Sequence, residues 1–244
     1  MKAVGLSDVG LVRTQNEDAF SVINEPINIL ENLLIVADGM GGHKAGEIAS
    51  NLSVKAFIDY IETADFSEEQ ILDYLTDGVH YANESVFKEA YDNADLEGMG
   101  TTFTVASVYQ KKLYVAHVGD SRLYVITNNQ LIKITHDHSY VGELLRLGEI
   151  NKDEAKSHPA RNALTRAVGL SPDIEVDGFV FDLDAGDRIL ICSDGLTDML
   201  EEEEIFNIVI NTDDMKNCAK KLVNTANKNG GVDNITVVLA EIAR

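Results

Sequence analysis

The chain has 244 residues, 45% of them hydrophobic and 25% charged, and its forty-one acidic against twenty basic side chains give a formal charge of −21. That is enough apolar material for one large core, and a summed field that repels DNA, RNA and anionic membrane surfaces, so nucleic acid is excluded as a partner. No apolar run approaches the roughly 20 residues of a membrane span, Asp8 interrupts the N-terminus before a signal-peptide core develops, and Cys192 and Cys218 form neither a disulfide framework nor a metal-binding spacing. A cytoplasmic protein without membrane insertion is expected.

Along the chain, the run from Leu33 to Ala37 reads as a strand. Residues 46–61 and 67–93 read as helices: Ile71, Leu75, Val79, Ala82, Val86 and Ala90 recur at helical spacing, and Ser67 with Gln70 suggests a capping box. The period then changes. Short β-rich runs, Phe103 to Tyr109, Leu113 to Val118, Arg122 to Thr127 and Gln130 to Thr135, alternate with turn-like separators and predict an antiparallel meander. Residues 139–157 look helical and 158–173 irregular, followed by strands at 174–182 and 187–193. A helix at 213–229 stops at Gly230-Gly231, and a last strand runs Ile235 to Ile242. Elements come in blocks and no linker or repeat interrupts them, so one α+β domain spanning 1–244 is expected, with helices covering antiparallel sheets.

Aspartates recur where these strands end. Asp38-Gly39 follows the first, Gly119-Asp120 follows Leu113 to Val118, Asp194-Gly195 follows 187–193, and Asp233-Asn234 opens the last. Any one Asp-Gly is explained by a turn. Four carboxylates meeting at one end of the sheets would repel and raise each other's pKa, and would need cations to stay ionised. Oxygen-only donors favour Mg²⁺ or Mn²⁺ over zinc.

Seven segments then occur in order: Arg13-Thr14-Gln15-Asn16-Glu17-Asp18, Asp38-Gly39-Met40-Gly41-Gly42-His43, Gly100-Thr101-Thr102, Val118-Gly119-Asp120-Ser121-Arg122, Asp137-His138-Ser139, Ser193-Asp194-Gly195-Leu196-Thr197-Asp198 and Val232-Asp233-Asn234. In order and approximate spacing the series resembles that of the bacterial metal-dependent (type 2C) serine/threonine protein phosphatases, across residues 1–242. The resemblance implies a four-layer α-β-β-α sandwich, two antiparallel sheets flanked by helix pairs, with a binuclear Mn²⁺ or Mg²⁺ centre at one end. Carried over position by position, Asp38 bridges two metals, the Gly39 carbonyl binds one, and Asp194 and Asp233 bind the other. Glu17 and Asp18 orient waters around the metals, Glu17 belonging to the metal site and Asp18 to the catalytic set. Asp120 with Asp194 matches the place of a third metal. Arg13 is the phosphate clamp, its planar fork matching two phosphate oxygens.

Many eukaryotic members carry a histidine directly after the Asp-Gly as general acid; here that residue is Met40, which leaves His43 or a water to protonate the leaving group. Residues 139–172 match the family's variable flap. His117 and His138 lie in matched segments but are equally explained as polar groups satisfied within the sheets. The resemblance further implies phosphoprotein substrates, a cognate serine/threonine kinase whose action is reversed, and a monomer.

Rival patterns are weaker. Phe181-Asp182-Leu183-Asp184-Ala185-Gly186 looks like the aspartyl-nucleophile motif of haloacid-dehalogenase-like enzymes, but a strand rather than a helix follows, so a hairpin turn is expected. Cys192 lacks the nearby arginine of tyrosine phosphatases, and Glu47 stands where a P-loop from Gly41 to Gly46 needs lysine. A binding-only relative would have lost metal ligands, and every one is retained here.

Overall fold

The computed structural model describes residues 1–42, 44–65, 67 and 70–243. Its first sheet contains β1 (Lys2–Asp8), β11 (Ile235–Glu241), β10 (Arg188–Cys192), β7 (Arg122–Thr127) and β8 (Gln130–Lys133), in that spatial order. The second runs β2 (Asp18–Ile23), β3 (Leu33–Met40), β5 (Phe103–Tyr109), β6 (Lys112–Val118) and β9 (Asp177–Asp182), with the two-residue β4 (Gly100–Thr101) added to the end of β3. Every pairing is antiparallel.

The strands read as continuous apolar runs because both faces are covered. Alternate residues separate by face, as the period of two requires. Leu34 and Val36 of β3 meet Leu123 and Val125 of β7, Ile189 and Ile191 of β10, and Val238 of β11 in a core between the sheets. Leu33 and Ile35, one residue out of phase, pack outward against Phe57, Ile61, Leu75 and Val79 of α1 (Ala45–Thr63) and α2 (Ile71–Asp92). On the other side Leu190, Cys192 and Leu239 meet Ile205 and Val209 of α6 (Glu202–Ile210) and Cys218 and Leu222 of α7 (Met215–Lys228). At about 1.5–3 kcal/mol for each fully buried large side chain, these three layers of contact hold the expected α-β-β-α sandwich together. Among the described residues no helix is long and apolar enough to cross a membrane.

The meander is real in local pairing but not in global path. β5–β6 and β7–β8 are two-residue hairpins, closed by Gln110-Lys111 and Asn128-Asn129, all four with φ between 48° and 62°, as tight primed turns demand. Between them Gly119-Asp120-Ser121 carries the chain from one sheet to the other, so β6 and β7 are not paired. The stretch after β9 does the same: Asp187 donates its backbone N–H to Asp184 O (3.1 Å) in a tight turn, but the strands on either side belong to different sheets and the expected hairpin is absent. Alternation cannot distinguish a partner beside a strand from one stacked above it. The helix expected over 139–157 breaks at Gly148 (φ 72°) into α3 (Tyr140–Leu147) and α4 (Lys152–Ser157), the latter with its own capping box from Asn151 and Glu154. The capping box expected at Ser67 does not form: α2 is N-capped by Gln70 without a side-chain cap, and the Ser67 hydroxyl lies 3.1 Å from the Gln70 side-chain oxygen.

Candidate metal centre

Strand ends and the segments that leave them bring the acidic residues to one end of the sandwich. Asp38 is not in a turn after its strand, as its Asp-Gly suggested; β3 continues through Met40, and Asp38 faces Asp18 across the β2–β3 ladder. Its N–H donates to Thr102 Oγ1 (2.9 Å), and its carbonyl accepts from Thr102 N–H (2.8 Å) and Thr101 Oγ1 (2.9 Å), so the backbone is fixed while the residue lines the cleft. Gly39 follows because nothing larger fits: a Cβ there would lie 2.1 Å from Gly46 O and 2.6 Å from Glu17 O.

Asp120 lies on the crossover between sheets, and Asp194 opens the short helix α5 (Asp194–Thr197) directly after β10. Asp233 immediately precedes Asn234, whose side chain organises the opposite wall. The Asn234 amide donates to Val9 O and Gln15 O (both 2.9 Å) while its oxygen accepts Glu17 N–H at 2.8 Å. Ser50 Oγ donates to Glu17 O (2.6 Å), fixing the same loop from α1. Arg13 places Nη2 2.7 Å from Asp233 Oδ2.

Glu17, Asp38, Asp120, Asp194 and Asp233 thus line a single cleft of about 580 Å³, with Gly39 in its wall and Arg13 as its one basic side chain among the described residues. Asp18 is buried beneath it. His43, the candidate acid, lies outside the described residues. Of residues 139–172, Asn162 and Leu164 reach the cleft wall, and backbone bridges Ser139–Leu164 and Thr101–Val168 anchor the segment.

The carboxylates are held far from their ordinary behaviour. Burial, then Asp18, Asp194, Asp120 and Asp233, keep the Asp38 carboxyl well above the usual range; burial, then Asp120, Asp198 and Asp233, do the same to Asp194. Burial pushes Asp120 up to about 7, reinforced by Asp137 although Arg122 opposes it. Asp18 rises to about 6 through burial, against the hydrogen bond that Ser193 Oγ donates to its Oδ2 at 2.8 Å. Asp18 Oδ1 is buried without a hydrogen-bond partner among the described residues. An unpaired buried acceptor inside a field of like charge is the electrostatic signature of a cation's surroundings. Among the described residues no three His, Cys, Asp or Glu side chains are grouped closely enough to hold a metal ion by themselves; the cleft's oxygen-only donors are of the kind that hard, hydrated cations accept, and not the Cys and His set of structural zinc.

A sign follows for stability. A carboxyl with its pKa raised by folding binds its proton more tightly folded than unfolded, so its contribution is lost as pH rises through the folded value. His117, buried and depressed to about 3, works oppositely, but only below the ordinary histidine value of about 6.5. Above about pH 6.5 the carboxylates alone decide. The metal-free protein is therefore expected to melt several degrees lower near pH 8 than near pH 6.5, and excess Mn²⁺ to remove most of that decline; a flat profile in EDTA would show that the carboxylates do not crowd.

Sequence reasoning missed the residues that hold the acids in place. Thr102, Ser193 and Asn234 stand inside the quoted segments, yet a hydroxyl or amide carries no spacing signal of its own. His117 and His138 are structural: His117 Nδ1 is 2.8 Å from Thr104 Oγ1 and Nε2 donates to His136 O (3.0 Å), while His138 Nδ1 accepts Gly119 N–H at 3.1 Å. Asp137 is gripped by the Arg122 fork (2.8–3.2 Å) and by Lys133 (2.6 Å), whose charges outweigh burial and keep its carboxyl below the usual range. The rival motifs fail here. The Phe181–Gly186 segment leads into an antiparallel strand with no helix after it, and burial pushes the Cys192 thiol up to about 12.

Comparison with known proteins agrees with this geometry. Residues 12–240 match the family described as Protein phosphatase 2C. The chain is 41% identical over 243 residues to the serine/threonine phosphatase stp of Listeria monocytogenes, covering 99% of this chain and 96% of that protein. Its fold matches the serine/threonine phosphatase Stp1 of Staphylococcus aureus with a TM-score of 0.93 at 35% identity, covering 100% of this chain and 95% of that one. The catalytic domain of the serine/threonine protein phosphatase PstP, in complex with two manganese ions, matches with a TM-score of 0.86 at 34% identity over 100% of this chain and 98% of that one. With five cleft carboxylates on a two-sheet sandwich and a match along nearly its whole length, this chain belongs to the protein phosphatase 2C family.

Proposed function

We propose that the chain is a metal-dependent enzyme that hydrolyses phosphoserine and phosphothreonine in proteins, reversing the action of a serine/threonine kinase, and that residues 1–244 act as one catalytic domain with 139–172 as its flap. The observation that carries the reading is the convergence of Glu17, Asp38, Asp120, Asp194 and Asp233 in one cleft that Arg13 also lines. The relatives' names and the two manganese ions of PstP support the same activity and a dinuclear centre.

In this reading Asp38 and the Gly39 carbonyl would hold one ion, and Asp38, Asp194 and Asp233 the other. Glu17 and Asp18 would orient water around them, and Asp120 with Asp194 would take a third, weaker ion. Mn²⁺ or Mg²⁺ suits these hard oxygen donors. When bound, the pair supplies charge to neutralise the phosphoryl oxygens and lowers the pKa of a nearby water. The protein's part is positional. The β2–β3 ladder fixes Asp38 against Asp18, Asn234 fixes the Glu17 loop against Asp233, and Arg13 offers a fork to the phosphate from the rim. Arg13 is half-exposed and already paired with Asp233, so its engagement with phosphate is an exchange of one anion for another.

The direct test is turnover of p-nitrophenyl phosphate and a phosphothreonine peptide: none in EDTA, recovery with Mn²⁺. Failure of Mn²⁺ or Mg²⁺ to support turnover would end the reading. Arg13→Ala is expected to raise KM for the phosphopeptide roughly tenfold, the low end for a charged hydrogen-bond pair because the site is half-exposed, with Tm unchanged. Wild-type KM and kcat would remove Arg13 as the clamp.

A further inference from the structure

One rim of the cleft is apolar. Leu11 (68% exposed), Val12 (65%) and Val232 (42%) stand in solvent directly beside the two residues that line the cleft from that side, Arg13 and Asp233. Two stretches form this rim, Val9-Gly10-Leu11-Val12 and Asn229-Gly230-Gly231-Val232, and neither carries a charge in a chain of net −21.

The exposure is built into the fold rather than left by a loose loop. Leu11 and Val12 donate backbone N–H to Gly231 O (2.7 and 3.3 Å), Asn234 grips Val9 O (2.9 Å), and Asp8 Oδ1 accepts from Gly10 N–H (2.9 Å) and Asn227 Nδ2 (3.0 Å). At Gly10 (φ 82°) a Cβ would lie 2.2 Å from Asp233 O, so the two loops touch backbone to backbone. Such contacts fix the backbone that carries these exposed side chains, so covering them costs little more than the small rotamer entropy of an aliphatic side chain.

We propose that Leu11, Val12 and Val232 form a docking platform for the substrate polypeptide, taking an aliphatic or aromatic side chain that flanks the phosphorylated residue. The proposal rests on the phosphatase reading above. It commits to substrate as the occupant because the platform is continuous with the cleft: a phosphate drawn to Arg13 leaves its own chain to exit over one rim, and this rim adjoins the clamp. An uncharged platform also spares an acidic substrate segment the repulsion that the rest of the surface exerts.

The test compares two phosphothreonine peptides, one with leucine and one with serine on both sides of the phosphothreonine, and uses p-nitrophenyl phosphate as a substrate too small to reach the platform. The wild-type enzyme is expected to favour the leucine peptide by roughly tenfold in kcat/KM, mainly through KM. Leu11→Ser/Val232→Ser is expected to level the two peptides while leaving p-nitrophenyl phosphate turnover and Tm unchanged. Equal wild-type rates on the two peptides would overturn the platform even if the variant failed to fold, and leave the phosphatase reading standing. No turnover of any of the three substrates would instead overturn that reading and the platform with it. A wild-type dimer that the variant dissociates, with peptide preference unaltered, would make the patch an interface between copies and likewise overturn the proposal.

Discussion

Asp38→Asn is expected to fold normally and to lose at least roughly 10³-fold of the phosphatase activity, because in the proposed reading it removes the carboxylate that would be shared by both ions. The fold should persist because the hydrogen bonds that tie Asp38 to Thr101 and Thr102 are made by its backbone, and asparagine keeps the side chain's shape. A second readout separates a metal ligand from a structural residue. Asp38 is a buried carboxyl held well above its ordinary pKa by burial and by four neighbouring aspartates. Removing its charge should raise the Tm of the metal-free protein near pH 8. The same change should abolish most of the Tm gain that Mn²⁺ gives the wild type, since there is less binding energy to couple to folding. Near wild-type turnover, or an undiminished Mn²⁺-dependent Tm shift, would remove Asp38 from the centre.

The fold was legible wherever a signal is local. Alternation set β5 and β7 to the residue, and helical spacing found the bodies of α1, α2 and α7. What alternation cannot carry is which sheet a strand joins. Leu113 to Val118 and Arg122 to Thr127 read as neighbours separated by a turn, yet they lie in different sheets, and that crossover is what delivers Asp120 to the cleft. The short α5 and the Glu-rich α6 left little trace: four residues are too few for periodicity, and Glu201 to Glu204 resembles a solvated surface run.

The acids themselves were visible because Asp and Gly at strand ends are a compositional signal, and the ordered series of segments turned that into a site. Their supports were not. Ser193, buried between Asp18 and Thr236, receives the Thr236 N–H (3.0 Å) while donating to Asp18, a role that depends on two strands meeting 43 residues apart. Asn234 ties loops 217 to 225 residues away in sequence. A hydroxyl or amide acquires such a function only through long-range geometry, and burial is the observation that exposes it.

Asp120 is the acid whose role the local sequence leaves most open, between a turn residue of the crossover and a ligand of a further ion. If Asp120 served only the crossover, its side chain should hold the loop. The loop is held by others. Gly119 (φ 110°) donates to His138 Nδ1 (3.1 Å) and accepts from His138 N–H (2.8 Å), and Ser121 Oγ meets Thr102 Oγ1 at 2.7 Å. The Asp120 carboxyl keeps a hydrogen bond to its own backbone, and burial with the charges of Asp137 and Asp198 lifts it to about 7 despite Arg122. A turn aspartate tolerates asparagine, which preserves the local hydrogen bond to backbone; a ligand for a hard cation does not, because the charge is what binds. Asp120→Asn is therefore expected to keep wild-type Tm in EDTA or exceed it, to bind two Mn²⁺ with normal affinity, and to lose roughly ten- to hundredfold of turnover at ordinary Mn²⁺, recovering part of it in excess. Calorimetric titration with Mn²⁺ beside single-turnover kinetics reads both quantities. A variant with wild-type rate and wild-type stoichiometry would return Asp120 to the crossover and remove the third ion; a variant short of one weak Mn²⁺ equivalent, and slow until Mn²⁺ is raised, places that ion between Asp120 and Asp194.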